Sequence, residues 1–193
     1  MQTVQFTQMR DGTAAEYAML HDLERQYIAG LPDRVLASLR TLDDGLGGYR
    51  VTRLEHSLQA ATRAERDGAD IDWVVAALVH DIGDGLAPEN HSQMAAAILR
   101  PYVRAEVTWV VAMHGVFQQH YYGHHLGLDP DAREVYRDHP WFDSCERFCE
   151  RWDQAAFDPS YPSESLAHFE PMVREVFGRA AFDPAIVKVV DSE

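Results

Sequence analysis

Six side chains in this sequence do not suit the helices that carry them: His56, His80, Asp81, His91, His114 and Asp153. His80 and Asp81 close the most hydrophobic segment of the chain, IDWVVAALVHDIG. A buried carboxylate is costly unless it is paired or bound to a metal. Taken alone, such a dipeptide reads as a helix-terminal histidine facing the last carbonyls, with an aspartate in the following turn. Three more histidines interrupt apolar stretches: His56 in RLEHSLQAA, His91 at the head of HSQMAAAIL, and His114 in WVVAMHGVF. Asp153 lies in the equally apolar FCERWDQAAF. Each histidine by itself reads as a satisfied core residue. Together with the two aspartates they make an inner shell of imidazoles and carboxylates without thiolates, a donor set suited to iron, manganese, nickel or zinc. If Asp81 bridges two ions, the six side chains supply roughly seven of the twelve bonds that two six-coordinate ions take. About five positions then stay open for a bridging oxygen, a substrate and a small molecule such as O₂, as in a catalytic rather than a structural centre.

The elements that must position these groups read as helices, because apolar residues recur at three- and four-residue steps. Helices are expected over 14–29 and 33–43, closed and opened by Gly30 and Pro32 respectively, with Gly45, Gly47 and Gly48 forming a joint after them. Thr52 and Glu55 spell a capping box before the next helix, which ends at Gly68. Asp70 is placed to cap IDWVVAALVHDIG, the expected central helix, and Asn90 to cap HSQMAAAILR. A long helix follows Pro101. Shorter ones are expected at 130–137, at 140–156, at 170–178 around Pro171 and at 184–190 after Pro184. No strand pair with alternation and a turn is visible, so the fold class is all-α.

Composition sets the frame. The 193 residues, 46% of them hydrophobic, suffice for one core and are read as a single domain over 1–193. With 17 Lys and Arg against 31 Asp and Glu, the net charge of −14 disfavours nucleic acid and anionic membranes. Neither a leader segment nor a membrane span is apparent, and a cytoplasmic address is the default expectation. Cys145 and Cys149, four residues apart, read as small apolar packers on one helix face. Trp73, Trp109, Trp141 and Trp152 read as core, and the acidic clusters at 43–44 and 129–134 as solvated caps and turns.

The ordered set His56, His80-Asp81, His91, His114, Asp153 resembles the HD-domain superfamily of metal-dependent phosphohydrolases in its six-ligand, dinuclear form. Within it, RLEHSLQAATRAERDGAD, WVVAALVHDIGDG and ERWDQAAF are similar to a branch of mixed-valent diiron oxygenases that cleave the carbon–phosphorus bond of 1-hydroxyphosphonates. The likeness covers about 46–155 and implies a helical bundle around two irons, with helical extensions on either side. It places His56, His80, Asp81 and Asp153 on one iron and Asp81, His91 and His114 on the other. It also implies that O₂ is a co-substrate and that the metals and O₂ do the chemistry while the protein positions a small zwitterionic phosphonate. No catalytic residue beyond the metal ligands is then expected. A hydrolase using the same ligands on a small phosphate ester is the alternative, opposed by the lack of a basic cluster for a nucleotide's phosphates.

Departures from that branch bear on the substrate. A member that forms glycine from 2-amino-1-hydroxyethylphosphonate carries a Tyr ten residues and a Glu seven residues before its first ligand histidine; here these positions are Leu46 and Tyr49. A carboxylate suits a primary ammonium, and an aromatic face suits a quaternary one. Tyr49 thus favours 1-hydroxy-2-(trimethylammonio)ethylphosphonate, with glycine betaine and phosphate as products. Tyr49 is also a replacement, after a small loop shift, for the tyrosine that Leu46 removes. The phosphonate-binding Lys, His and Arg of that member are Gln118, Asp84 and Glu150 here. On the long helix His114, Gln118, Tyr121 and His125 share one face if the helix continues through Gly123, which brings Gln118 and His125 towards the phosphonate. Arg151 is the expected substitute for the displaced Arg, and Asp84 an attractor for the substrate's cation. Tyr122 and His124 read as a solvated helix end.

Overall fold

The computed structural model describes residues 3–187 and contains eight α-helices and no strand among them. Helix α1 (Ala14–Ala29) begins with a Thr13–Glu16 capping box. Although its apolar residues have helical spacing, none of them is buried; Tyr27 and Ile28 are among the exposed large side chains. Helix α2 (Leu31–Thr41) starts two residues earlier than Pro32 alone suggests and buries Val35, Leu36 and Leu39.

The site rests on the next four helices. Helix α3 (Arg53–Arg66) opens with the expected Thr52–Glu55 box, which fixes the turn carrying His56. Asp70 accepts from the backbone N–H groups of Asp72 and Trp73 and so starts α4 (Ile71–Val79), in which every residue from Asp72 onward is buried. Each fully buried Val or Leu there contributes about 1.5–3 kcal/mol, which is why the most apolar segment takes the centre. Its buried Asp72 is compensated by Arg104, 3.1 Å away, and by Arg179, 2.7 Å away. After α4 the chain turns through His80-Asp81-Ile82-Gly83. A Cβ on Gly83 would stand 3.0 Å from both the His91 carbonyl and Met94, so glycine allows this turn to lie on α5 (His91–Leu99) and brings Asp81 beside His91. Asn90 occupies the N-cap position of α5, but its side chain makes no cap bond, contrary to expectation.

Helix α6 (Ala105–Tyr122) starts three residues later than the sequence suggests and passes into a 3-10 turn, Gly123–Leu126, rather than running on as α-helix. The expected helix at 130–137 is a 3-10 turn over Ala132–Tyr136. The one expected at 140–156 divides into α7 (Phe142–Phe148) and a π-helical turn, Cys149–Asp153. Cys145 and Cys149 are buried free thiols. Helix α8 (Leu166–Phe177) starts at Ser165 and contains Pro171 in its interior instead of at its head. Residues 184–187 form turns, and 188–190 of the helix expected there lie outside the described residues. No helix among the described residues is long and apolar enough to cross a membrane.

Candidate metal centre and substrate cavity

The structure brings the six sequence-selected donors together. His56 comes from α3, His80 and Asp81 from the end of α4, His91 from the first residue of α5, His114 from the middle of α6 and Asp153 from the π turn. All but His91 are buried, and His91 is partly so. Each imidazole donates its Nδ1 proton to a main-chain carbonyl: His56 to Ala156 at 3.0 Å, His80 to Ala77 at 2.7 Å, His114 to Val111 at 2.7 Å and His91 to Pro88 at 3.2 Å. A carbonyl only accepts, so these contacts settle the tautomer and leave each Nε2 lone pair facing inward.

Asp81 divides its two oxygens between two groups of donors. Oδ2 lies 3.5 Å from His56 Nε2 and 3.6 Å from His80 Nε2, whereas Oδ1 lies 3.4 Å from both His91 Nε2 and His114 Nε2. Asp153 Oδ1 completes the first group at 3.3 Å from His56 and 3.5 Å from His80. The carboxylate therefore stands between the two imidazole pairs, with one oxygen towards each.

Two further observations show that the donor set fits cations. His56 Nε2 and His80 Nε2 are 3.0 Å apart, and in the neutral form that binds a metal neither ring has a proton there to share. Donors about 2.1 Å from one ion at right angles stand about 3.0 Å apart, so this repulsive contact is what an edge of a coordination polyhedron looks like. Asp153 Oδ2 is buried with no hydrogen-bond partner, and such a carboxylate oxygen calls for a cation. Three groups of donors lie within coordination reach: His56-His80-Asp81, His80-His114-Asp153 and Asp81-His91-His114.

Protonation opposes metal binding here in a way that sets a pH dependence. Burial is the largest influence on His56 and His80 and favours neutral rings, but Asp81 and Asp153 outweigh it and raise both above the ordinary histidine value. Asp81 is likewise pushed up by burial and pulled well below the usual carboxylate range by His80 and its neighbours. A raised folded-state histidine stabilises the metal-free protein below the unfolded value, and this is lost as pH rises through the raised value. Bound metal needs the neutral rings. The increase in Tm on metal addition is therefore expected to grow between about pH 6 and about pH 8, with protons released on binding near neutrality. Thermal shifts that are equal at both ends would contradict this.

A cavity of about 320 Å³ opens onto these donors. Of the expected substrate contacts, Tyr49, Gln118 and Tyr121 line it; Asp84, His125 and Arg151 do not. His125 is exposed and its ring lies 3.9 Å from that of His124, because the helix tightens after Tyr122 and the shared face ends there. Arg151 pairs with Asp67 at 2.9 Å on the outer side of the π turn. Asp84 sits behind the wall, with Oδ2 3.0 Å from Arg53 Nε. Leu46 is exposed and away from the cavity.

The sequence reading missed Arg53, Tyr122, Gln154 and Phe157, which also line the cavity. Spacing carried a signal for three of them. Arg53 precedes His56 by one turn, Tyr122 is two turns beyond His114, and Phe157 follows Asp153 by four residues. Phe157 stacks on His56 with centroids 4.3 Å apart and on Tyr49 at 5.2 Å, giving the cavity an aromatic side. Burial pushes the Tyr121 hydroxyl up to about 12 and raises that of Tyr122, so both remain neutral donors.

The HD domain family model matches residues 53–153, a segment that contains all six donors. Over 100 residues the chain is 31% identical to the [1-hydroxy-2-(trimethylamino)ethyl]phosphonate dioxygenase (glycine-betaine-forming) of Leisingera caerulea, covering 46% of this chain and 48% of that relative. Over 76 residues it is 36% identical to the hydroxymethylphosphonate dioxygenase of Gimesia maris, covering 33% of this chain and 38% of that relative. The matched parts thus span about half or less of these relatives' lengths.

Proposed function

The chain belongs to the HD-domain family, and on that premise we propose that it is a two-iron oxygenase, active with a mixed-valent pair, that cleaves the carbon–phosphorus bond of a small 1-hydroxyphosphonate with O₂. The observation that carries this reading is the split of the Asp81 oxygens between two imidazole pairs at the floor of a cavity of substrate size. The names of the two relatives favour C–P oxidation over phosphate-ester hydrolysis. Among the described residues the cavity wall contains one arginine rather than the basic cluster a nucleotide requires. Residues 1–193 are taken as a single HD domain.

In this reading His56, His80, Asp81 and Asp153 would hold the first iron, and Asp81, His91 and His114 the second. The iron pair supplies the binding and reduction of O₂ and the oxidation of the C–H bond. The overall change is R–CH(OH)–PO₃²⁻ + O₂ → R–COO⁻ + HPO₄²⁻ + H⁺. The carbon leaves as a carboxylate, and one atom of O₂ ends in each product. The chain's own part is to bind, orient and exclude water. The four carbonyls lock the imidazoles, the neutral tyrosines donate hydrogen bonds, and Tyr49, Tyr122 and Phe157 present aromatic surface to a trimethylammonium group. The preferred substrate is accordingly 1-hydroxy-2-(trimethylammonio)ethylphosphonate, giving glycine betaine and phosphate.

The test is O₂ uptake and phosphate release by iron-loaded protein with the trimethylated, primary-amine and unsubstituted 1-hydroxyphosphonates. Equal consumption of O₂ and formation of phosphate, fastest with the trimethylated compound, is expected. Tyr49→Glu should shift preference towards the primary amine by about tenfold, since a quaternary ammonium cannot donate hydrogen bonds to the new carboxylate. An unchanged preference would remove the cation assignment. Metal-dependent phosphate release from a phosphate ester without O₂ would favour the hydrolase.

A further inference from the structure

Among the described residues lining the cavity, Arg53 is the only Arg or Lys. Its side chain is 16% exposed, with Nη1 3.5 Å from Asp81 Oδ2 and Nε 3.0 Å from Asp84 Oδ2. The guanidinium carbon lies 5.0 Å from the centre of the Tyr49 ring. Short as the Asp84 contact is, the N–H does not align with that carboxylate, and Nε is buried without a hydrogen-bond partner. The Asp81 contact is at the outer limit of hydrogen bonding. The group is thus held by charge and stacking while most of its five donors stay unspent.

We infer that Arg53 is the phosphonate anchor of this site, its planar fork taking two phosphonate oxygens while Asp84 and Tyr49 hold the guanidinium in place. This rests on the C–P oxygenase reading. A chain of net charge −14 repels a phosphonate dianion at long range, but that field is screened over about 8 Å at physiological salt, so the decision falls to cations inside the cavity. An Arg fork matches two phosphonate oxygens, whereas a Lys would offer only a point charge. Asp84 Oδ2 faces Arg53 at 3.0 Å and Oδ1 stands 3.9 Å from His91 Nδ1, so this carboxylate balances both groups from behind the wall and does not line the cavity. Across the cavity Gln118 adds a buried amide oxygen with no partner. Half a turn about the last torsion of the Gln118 side chain puts its NH₂ donor at the same position.

The experiment uses metal-loaded protein without O₂, titrated calorimetrically with hydroxymethylphosphonate and, separately, with azide as a small anion that needs only an open metal position. Arg53→Gln is expected to weaken phosphonate binding by about 30- to 100-fold, and Arg53→Lys by about tenfold. Azide affinity and bound metal should match wild type in both variants. Phosphonate binding by Arg53→Gln within twofold of wild type would overturn the anchor and leave the oxygenase reading intact. Parallel loss of metal or azide binding in Arg53→Gln would make Arg53 a counter-ion of the metal site, which also overturns it. Failure of the metal-loaded wild type itself to bind any 1-hydroxyphosphonate would instead overturn the oxygenase reading on which the anchor depends.

Discussion

Asp81→Asn is expected to lower turnover by at least about 10³-fold and to reduce bound metal below two ions per chain, as judged by elemental analysis and O₂ uptake. The substitution keeps the shape of the side chain but removes its charge, and only one of its two polar atoms can still coordinate. One oxygen faces His56 and His80 and the other faces His91 and His114, so one half of the centre loses a donor and the link between the halves is broken. Burial magnifies the effect, because the neighbouring positive charges would keep only Asp153 and, beside Arg53, Asp84 as compensating carboxylates. Wild-type metal content and activity in this variant would show that Asp81 is not shared.

Phe148→Ala is expected to cost about 3–5 kcal/mol of stability and to lower Tm by roughly 10 °C. Phe148 is fully buried. Its ring packs 5.8 Å from His80, 6.4 Å from His114 and 5.7 Å from Trp152, so it supports two of the donor histidines and the residue next to Asp153 in the π turn. Removing it leaves a cavity directly beneath the metal centre. Metal affinity is therefore expected to fall with stability, whereas Phe148→Leu, which keeps most of the volume, should cost under about 1.5 kcal/mol. Thermal melts of the metal-loaded and metal-free forms check both, and an Ala variant that melts like wild type would contradict the packing argument.

What was legible in the sequence follows from physical contrast. Histidines and aspartates in apolar helices stand out because burial forces them to find partners, and all six of the residues so marked meet at one point. The Thr52–Glu55 box and the apolar run of α4 were equally plain, since capping and burial act within a few residues. Features governed by longer-range geometry were not. The π turn that directs Asp153 inward looks like ordinary helix in sequence. Gly123 permitted a continuous α6, and only the tightening into a 3-10 turn separates His125 from the face of His114. Arg53 was overlooked because it stands in the first turn after a cap, where charged residues are usually solvated; the Asp84 beside it is what holds it at the cavity. Helix α1 shows the opposite failure, since its apolar spacing predicted a buried face, whereas the described chain leaves none of its residues fully buried and Met19 and Leu20 only half-buried.

In the proposed centre six side chains hold two cations joined through one carboxylate. Iron content per chain, measured together with the magnetic resonance spectrum of the partly reduced protein, tests it most directly. Two irons per chain, spin-coupled to each other and uncoupled in Asp81→Asn, are expected. One iron, or two that behave as magnetically independent sites in the wild type, would contradict the shared bridge.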